Sequence, residues 1–485
     1  MSADWGEIRA RDLAGAVRGR QVSGNPDAPI SGIFTDTRSL EAGKVFWALE
    51  GENFDGHDFL DQAVASGAAG VLASYKAEGR GFPPECNVIL VQDTLQALGE
   101  LASWWRKAHK TWVAAITGSN GKTSTKEMTA HILARKGKVL KTEGNFNNLI
   151  GLPLTLLRLS REHAMAVLEM GMNRPGEIGR LTEIAAPDAG LITNVAPAHL
   201  EGLGDLKAVA RAKAELLEKM APTGSAFLNG DDALLMSESR RFKGRLKTFG
   251  LGDRNDFRAE NIRESGREGT AFEIHHRGGR IHVGLRVPGL HNVMNALAAS
   301  ALALEAGASE SQVAEGLGVF EGIPGRLKLS QLPGGVLMVD DTYNANPSSL
   351  KAALDALPCL ARDGRRTLVA LGDMLELGHE TAAIHVNAGR MVAEQGVDHL
   401  FIMGENADEV IRGALEAGLP ADHITRTQTH EEMANEIITQ LKDRDVLLLK
   451  ASRGMRFDRV VERIARSEKR GDPHGRTETE KDSGG

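Results

Sequence analysis

Apolar residues recur along this chain with two periods, and the switching between them separates three stretches. Up to residue 92, short apolar runs at 45–49 and 88–91 predict strands and 59–68 predicts a helix. The next segment, 93–109, places Leu95, Leu98, Leu101 and Trp105 at helical spacing, with Asp93 positioned to cap the first turn. Strand and helix then alternate: 112–117 strand, 123–135 helix, 164–170 strand, 178–184 helix, 190–195 strand. Such alternation predicts a parallel sheet covered by helices. Over 257–287 the pattern turns β-rich, with every-other-residue alternation in TAFEIHH and RIHVGLRV, and a helix over 292–306 closes the stretch. The α/β pattern returns over 326–466, with strands at 336–339, 367–371, 399–403 and 446–449. The chain ends SEKRGDPHGRTETEKDSGG, polar and without apolar periodicity, which predicts a disordered tail over 467–485. No internal repeat is visible. The expected architecture is α/β in three domains, 1–92, 93–325 and 326–466.

Length agrees, since 485 residues exceed what one ordinary core holds. With 41% hydrophobic and 25% charged residues the composition is that of a soluble globular protein. A net charge of -7 argues against a general nucleic-acid binder, which carries a basic face. Cys86 and Cys359 have no metal-ligand spacing and form no disulfide framework, so both read as packing residues in a reduced compartment. The start MSADWGEIRARDL lacks the apolar stretch of a secretory signal, and no run approaches the roughly 18 apolar residues of a membrane span. A cytoplasmic location is expected.

The strongest chemical signal is WVAAITGSNGKTST at 112–125: an apolar strand, a Gly-rich turn, then a helix. Backbone N–H groups of such a turn, with the helix N-terminus, form a concave anion site. Gly118, Ser119, Asn120, Gly121, Lys122, Thr123 and Ser124 would surround the phosphates, Lys122 neutralising them and Thr123 offering a hydroxyl to Mg2+. The general phosphate loop has a glycine where this chain has Ile116, so GSNGKT is a shorter loop. The segment supports nucleoside-triphosphate binding but leaves motors, switches, kinases and ligases open. Glu169 ends one strand and His199 lies just beyond another, where ligands gather in open α/β sheets. Taken alone, Glu169 reads equally as a salt-bridge partner and His199 as a capping or core residue.

TGSNGKT, with two residues between its glycines, resembles the Mur ligase family and the folylpolyglutamate synthases. EGNFNNLIGLP (143–153), LEMGMNRPGEI (168–178), ITNVAPAHLEGLG (192–204), PGLHNVMNALAA (288–299), DDTYNANPSS (340–349), LGDMLELG (371–378) and LKASRGMRFD (449–458) are similar to Mur ligase segments. The resemblance spans all three stretches apart from the last twenty or so residues. It implies an N-terminal domain for a UDP-muramoyl-peptide, a central P-loop-type parallel-sheet ATPase domain and a C-terminal Rossmann-like α/β domain.

For residues the resemblance implies the following. ATP and Mg2+ are the cofactors, with Thr123, Glu169, His199 and an N-carboxylated Lys213 around the metal. Asn292 and Asn295 hold adenine, Asp341 the ribose, and Arg326 reaches the γ-phosphate. Thr37, Arg38 and Ser39 contact the uridine diphosphate, while Asn145, Asn147 and Asn148 grip the muramoyl-peptide, although Asn148 also reads as a turn residue. GLHNVMN equally reads as a helix cap, NANP as a turn, and Lys213 as a solvated helix lysine. The family's Gly before Ser-Arg is here Ala451 and its Met-Glu is Phe457-Asp458, which leaves Asp458 without an assigned role.

The implied reaction joins D-alanyl-D-alanine to UDP-N-acetylmuramoyl-tripeptide through an acyl-phosphate, in a monomer, with Lys122, Lys213, His199 and Arg326 as the catalytic set. A sibling adding one amino acid, a folylpolyglutamate synthase, and a regulatory ATPase that ligates nothing are the alternatives. Diaminopimelate and lysine are equally open as the third peptide residue.

Overall fold

Each stretch builds its own sheet. The computed structural model describes residues 5, 8–39, 42–51, 53–197, 205–362 and 364–469. Edge to edge, the first sheet runs Arg20–Ser23, Asn87–Val91, Gly70–Ser74, Lys44–Trp47 and Gly32–Phe34. All are parallel except Arg20–Ser23, which pairs antiparallel with Asn87–Val91. Asn87–Val91 is buried along its whole length, as a parallel strand covered on both faces must be. The helix predicted over 59–68 is shorter, Leu60–Ala65, because Asp55 accepts from the His57 N–H and starts a 3-10 turn, Gly56–Phe59, ahead of it.

The second sheet has nine strands. Seven run parallel in the order Val139–Lys141, Met165–Glu169, Trp112–Thr117, Ala189–Ile192, Ser225–Asn229, Arg245–Gly250 and Phe257–Glu264. Thr270–His276 and Gly279–Leu285 extend it antiparallel and keep the alternating burial that TAFEIHH and RIHVGLRV announce. Two helices, Lys122–Leu133 and the Ala- and Leu-rich Leu290–Glu305, pack together beneath this sheet. The third sheet runs Lys328–Gln331, Leu337–Asp341, Val446–Lys450, Thr367–Gly372, His399–Met403 and Ile424–Arg426, parallel after its first pair. Among the described residues no helix is long and apolar enough to cross a membrane.

Register in the second sheet places the chemistry. Ile116 is opposite Glu169 on one side, and Thr117 is opposite Ile192 on the other. The phosphate turn, Glu169 and the segment after Ile192 therefore leave three adjacent strands at the same end, where the first helix turns point their N–H groups.

The last helix, Asp458–Lys469, runs three residues beyond the expected end of the third domain, and its Val460 and Ile464 are fully buried against the helix His430–Gln440. The rest of the expected tail lies outside the described residues. A chain ending after Lys469 keeps every described core residue, so its Tm and turnover are expected to match the full chain. A loss of several degrees in a thermal melt would contradict this.

Candidate active site

Gly118 and Gly121 make the phosphate turn possible because nothing larger fits. Both have positive φ, and a Cβ would lie 1.8 Å from Thr193 Oγ1 at the first and 2.3 Å from Asn295 Oδ1 at the second. Strand Trp112–Thr117 enters the turn and helix Lys122–Leu133 leaves it with Gly121 as its uncapped N-cap. The turn differs from the expected cradle in one respect. The N–H groups of Ser119 and Asn120 donate to the backbone oxygen and Oδ1 of Asn194, both at 3.0 Å. Those donors hold the turn to its neighbour, and the first turn of the helix is left to face an anion. Lys122 Nζ donates to Gly118 O at 2.7 Å and Ser119 O at 3.1 Å. Burial pushes its pKa down and the Arg326 charge adds to this, while Glu169 opposes them.

Two cavities open beside this turn. The first, about 540 Å3, meets Gly118, Lys122, Glu169, Lys213 and Arg326, with Asn145, Asn147 and Asn148 on its wall. Glu169 is 3% exposed. Its Oε1 accepts from Asn147 Nδ2 at 2.9 Å, but its Oε2 is buried with no partner. A buried carboxylate oxygen left open is a ligand suited to a hard divalent cation. Lys213 sits on the helix Leu206–Lys219 at 2% exposure, far from the solvated lysine that helix position allows. Burial holds its pKa well below the ordinary lysine value, and the Lys122 charge lowers it further. Asn148 has a structural duty: its Oδ1 accepts from Ile150 N at 3.2 Å and Gly151 N at 2.8 Å at the start of the helix Gly151–Leu156.

The second cavity, about 360 Å3, meets Asn120, Gly121 and Ser124 on one side and Asn292, Asn295 and Asp341 on the other. Arg326 lines both cavities. One of its NH groups donates to Thr123 Oγ1 at 3.3 Å, its guanidinium carbon lies 4.3 Å over the Tyr343 ring, and its buried Nε has no partner. Asn292 and Asn295 lie within helix Leu290–Glu305 rather than at its cap, and Asn295 Nδ2 donates to Asn292 Oδ1 at 3.4 Å. Asn346 does cap a helix, Pro347–Leu360, and its Nδ2 donates to Asn120 Oδ1 at 2.8 Å. Asn120 Nδ2 in turn donates to Ser348 Oγ at 2.6 Å, so the third stretch grips the phosphate turn directly.

Three residues without a sequence-assigned role shape this site. Lys450 pairs with Asp341 and donates to Asn344 O at 3.1 Å, and the lysine is 1% exposed. A charge closing the apolar run VLLL is the signal that such a partner is needed. Asn194 holds the phosphate turn as described. His291 lines the second cavity with its pKa lowered to about 4, chiefly by burial and further by Lys450. Replacing Lys450 by Met would leave the Asp341 carboxylate buried with the Leu327 N–H as its remaining donor. The expected cost is about 3–5 kcal/mol of stability, read as a lowered denaturation midpoint.

Thr37, Arg38 and Ser39 form a 3-10 turn after the strand Gly32–Phe34, and Thr37 and Arg38 line neither cavity; Arg38 pairs with Asp36 at 2.7 Å in the open. His199 lies outside the described residues. Asp458 pairs with Arg456 at 2.9 Å on the surface at the start of the last helix.

Three family models together match most of the chain. One described as Mur ligase family, catalytic domain, matches residues 29–106; the Mur ligase middle domain matches 116–303; the Mur ligase, glutamate ligase domain, matches 325–453. The UDP-N-acetylmuramoyl-tripeptide–D-alanyl-D-alanine ligase of Bacillus subtilis is 38% identical over 90% of this chain and 94% of its own. A crystal structure of MurF from Acinetobacter baumannii superposes with a TM-score of 0.84 at 34% identity, covering 94% of this chain and 98% of that one. MurF ligase from Thermotoga maritima, solved in complex with ADP, gives a TM-score of 0.79 at 28% identity over 90% and 98%.

Proposed function

The chain belongs to the Mur ligase family, and from that membership we propose that it is an ATP-dependent ligase joining D-alanyl-D-alanine to UDP-N-acetylmuramoyl-tripeptide in peptidoglycan synthesis. One observation carries the reading: two cavities share a single phosphate turn and a single arginine. ATP in the second cavity directs its γ-phosphate past Arg326 into the first, where the peptide carboxylate lies. The relative solved with ADP supports the nucleotide, and the relatives named for the dipeptide favour this reaction over the single-amino-acid and folate alternatives.

Chemistry then follows from charge. A terminal carboxylate oxygen of the tripeptide attacks the γ-phosphorus, ADP leaves, and an acyl-phosphate forms. The dipeptide amine attacks the acyl carbon, loses a proton, and the tetrahedral intermediate expels phosphate. Both partners of the first step are anions, so Lys122 and Arg326 offset their repulsion, and Arg326 is kept in place by Thr123 and the Tyr343 ring. Bound Mg2+ would supply further charge neutralisation across the same oxygens. Thr123 and the open Oε2 of Glu169 fit it, and family likeness adds His199.

Lys213 completes that set as a carbamate. Its depressed pKa favours the neutral amine, which attacks CO2 and releases one proton, turning a buried neutral group into an anion in the cavity that Glu169 and Lys122 also line. Asn145 and Asn147 lie where the muramoyl-peptide would pass, while the turn at Thr37, Arg38 and Ser39 is proposed for the uridine diphosphate. We place the enzyme in the cytoplasm as a monomer.

Phosphate release tests the whole reading. It is expected only when ATP, UDP-N-acetylmuramoyl-tripeptide and D-alanyl-D-alanine are all present, and running the diaminopimelate and lysine tripeptides side by side identifies the third residue. Hydrolysis indifferent to the dipeptide would instead mark a regulatory ATPase.

A further inference from the structure

The first cavity has a cation that phosphate chemistry leaves unused. Arg453 follows Ser452 at the end of the strand Val446–Lys450 and lines the cavity from the third stretch. Among the described residues no carboxylate pairs with it; its NH1 donates to the Tyr343 hydroxyl at 3.2 Å and its guanidinium carbon lies 5.3 Å from that ring's centre. Tyr343 thus carries Arg326 on its face at 4.3 Å and orients Arg453 as well. Its own place is fixed by an N–H bond to Gly325 O at 3.0 Å. Two guanidiniums on one ring repel each other in the free protein, and each invites an anion.

Beside Arg453 the wall carries an exposed leucine, next to Glu376 and Ser452. Leu375 is 45% exposed, lines the same cavity, and is held there by its N–H donating to Ser452 Oγ at 2.9 Å. Gly454 makes room for it, since a Cβ there would lie 2.8 Å from Leu375 Cδ1. A free guanidinium next to an exposed leucine matches a carboxylate next to a methyl group. On the ligase reading above, the reacting carboxylate of the tripeptide is drawn to Lys122 and Arg326, and the other wall carries Asn145 and Asn147. We infer that Arg453, oriented by Tyr343 and flanked by Leu375, binds the terminal carboxylate of the incoming dipeptide and sets the enzyme's demand for it.

The test compares D-alanyl-D-alanine with D-alanyl-D-alaninamide, which keeps both methyl groups and the attacking amine but has no terminal charge. The unmodified enzyme is expected to favour the dipeptide by about 10- to 100-fold in kcat/KM, the range of one charge-assisted hydrogen-bond pair. In Arg453→Ala the KM for the dipeptide rises by a similar factor, the KM for ATP and for the tripeptide stays unchanged, and the preference over the amide disappears. Arg453→Lys restores part of that preference, which a merely structural role would not produce. Arg453 is exposed, so neither change threatens the core. An Arg453→Ala enzyme that still rejects the amide, or whose KM rises for the tripeptide instead, overturns the assignment and leaves the ligase reading standing. An unmodified enzyme that does not ligate the dipeptide at all removes both.

Discussion

Replacing Lys122 by Ala is expected to lower the rate of ligation by at least about 100-fold while the protein melts near its usual temperature. The side chain belongs to the cavity rather than to the core. Its amine spends its hydrogen bonds on the carbonyls of Gly118 and Ser119, which cavity water can reach once the lysine is gone. Burial and the Arg326 charge hold its pKa down, so the unliganded site stabilises this ammonium less than water does, and a bound triphosphate would reverse that. The free protein therefore gains little from this charge and the transition state gains much. Single-turnover phosphate release on a variant shown to be folded by calorimetry decides the matter, and near-normal turnover would remove Lys122 from the phosphate site.

Lys213 is expected to tolerate no cation. Lys213→Arg keeps the positive charge and cannot be carboxylated, so it should be as inactive as Lys213→Ala, on the order of 100-fold or more below the unmodified enzyme at saturating ATP. Added acetate should return part of the activity to the Ala variant by filling the vacated anion position, and should do nothing for Arg. Stability should move the other way. Because burial lowers this pKa in the folded protein, the unfolded chain binds the proton more readily. Stability is then lost as pH falls below the ordinary lysine value near 10.4, and the loss persists at neutral pH. Lys213→Met removes that penalty, so its Tm in CO2-free buffer should rise even as turnover vanishes. A fully active Lys213→Arg enzyme would exclude the carbamate.

How far the sequence could be read depended on how many positions each feature offered. Trp112–Thr117 and His399–Met403 stand out because four or five consecutive apolar residues between polar turns leave few alternatives. Gly32–Phe34, Val139–Lys141 and Ile424–Arg426 have three residues each, too few to show a period, and exist as strands because a neighbour supplies the pairing. The phosphate turn was legible since its glycines, lysine and threonine are contiguous. The Asn194 contacts that hold it, the Lys450 partner of Asp341, and the Arg326–Tyr343–Arg453 stack join residues far apart in the chain, and no spacing rule relates them. Lys213 was placed by resemblance; its burial, which makes the chemistry possible, is a tertiary fact.

The grip on Asn120 couples two affinities. Asn346 and Ser348 hold the side-chain amide of the same residue whose backbone is pinned by Asn194. Any swing of the third sheet away from the second must break both amide contacts, and any displacement of Asn120 loosens the third sheet. Opening and release of the phosphate turn are thus one event seen from two sides, and by thermodynamic reciprocity a ligand that tightens either must tighten the other. Loss of the Ser348 contact, remote in sequence from the nucleotide loop, is therefore expected to weaken nucleotide affinity and the hold on the third sheet together.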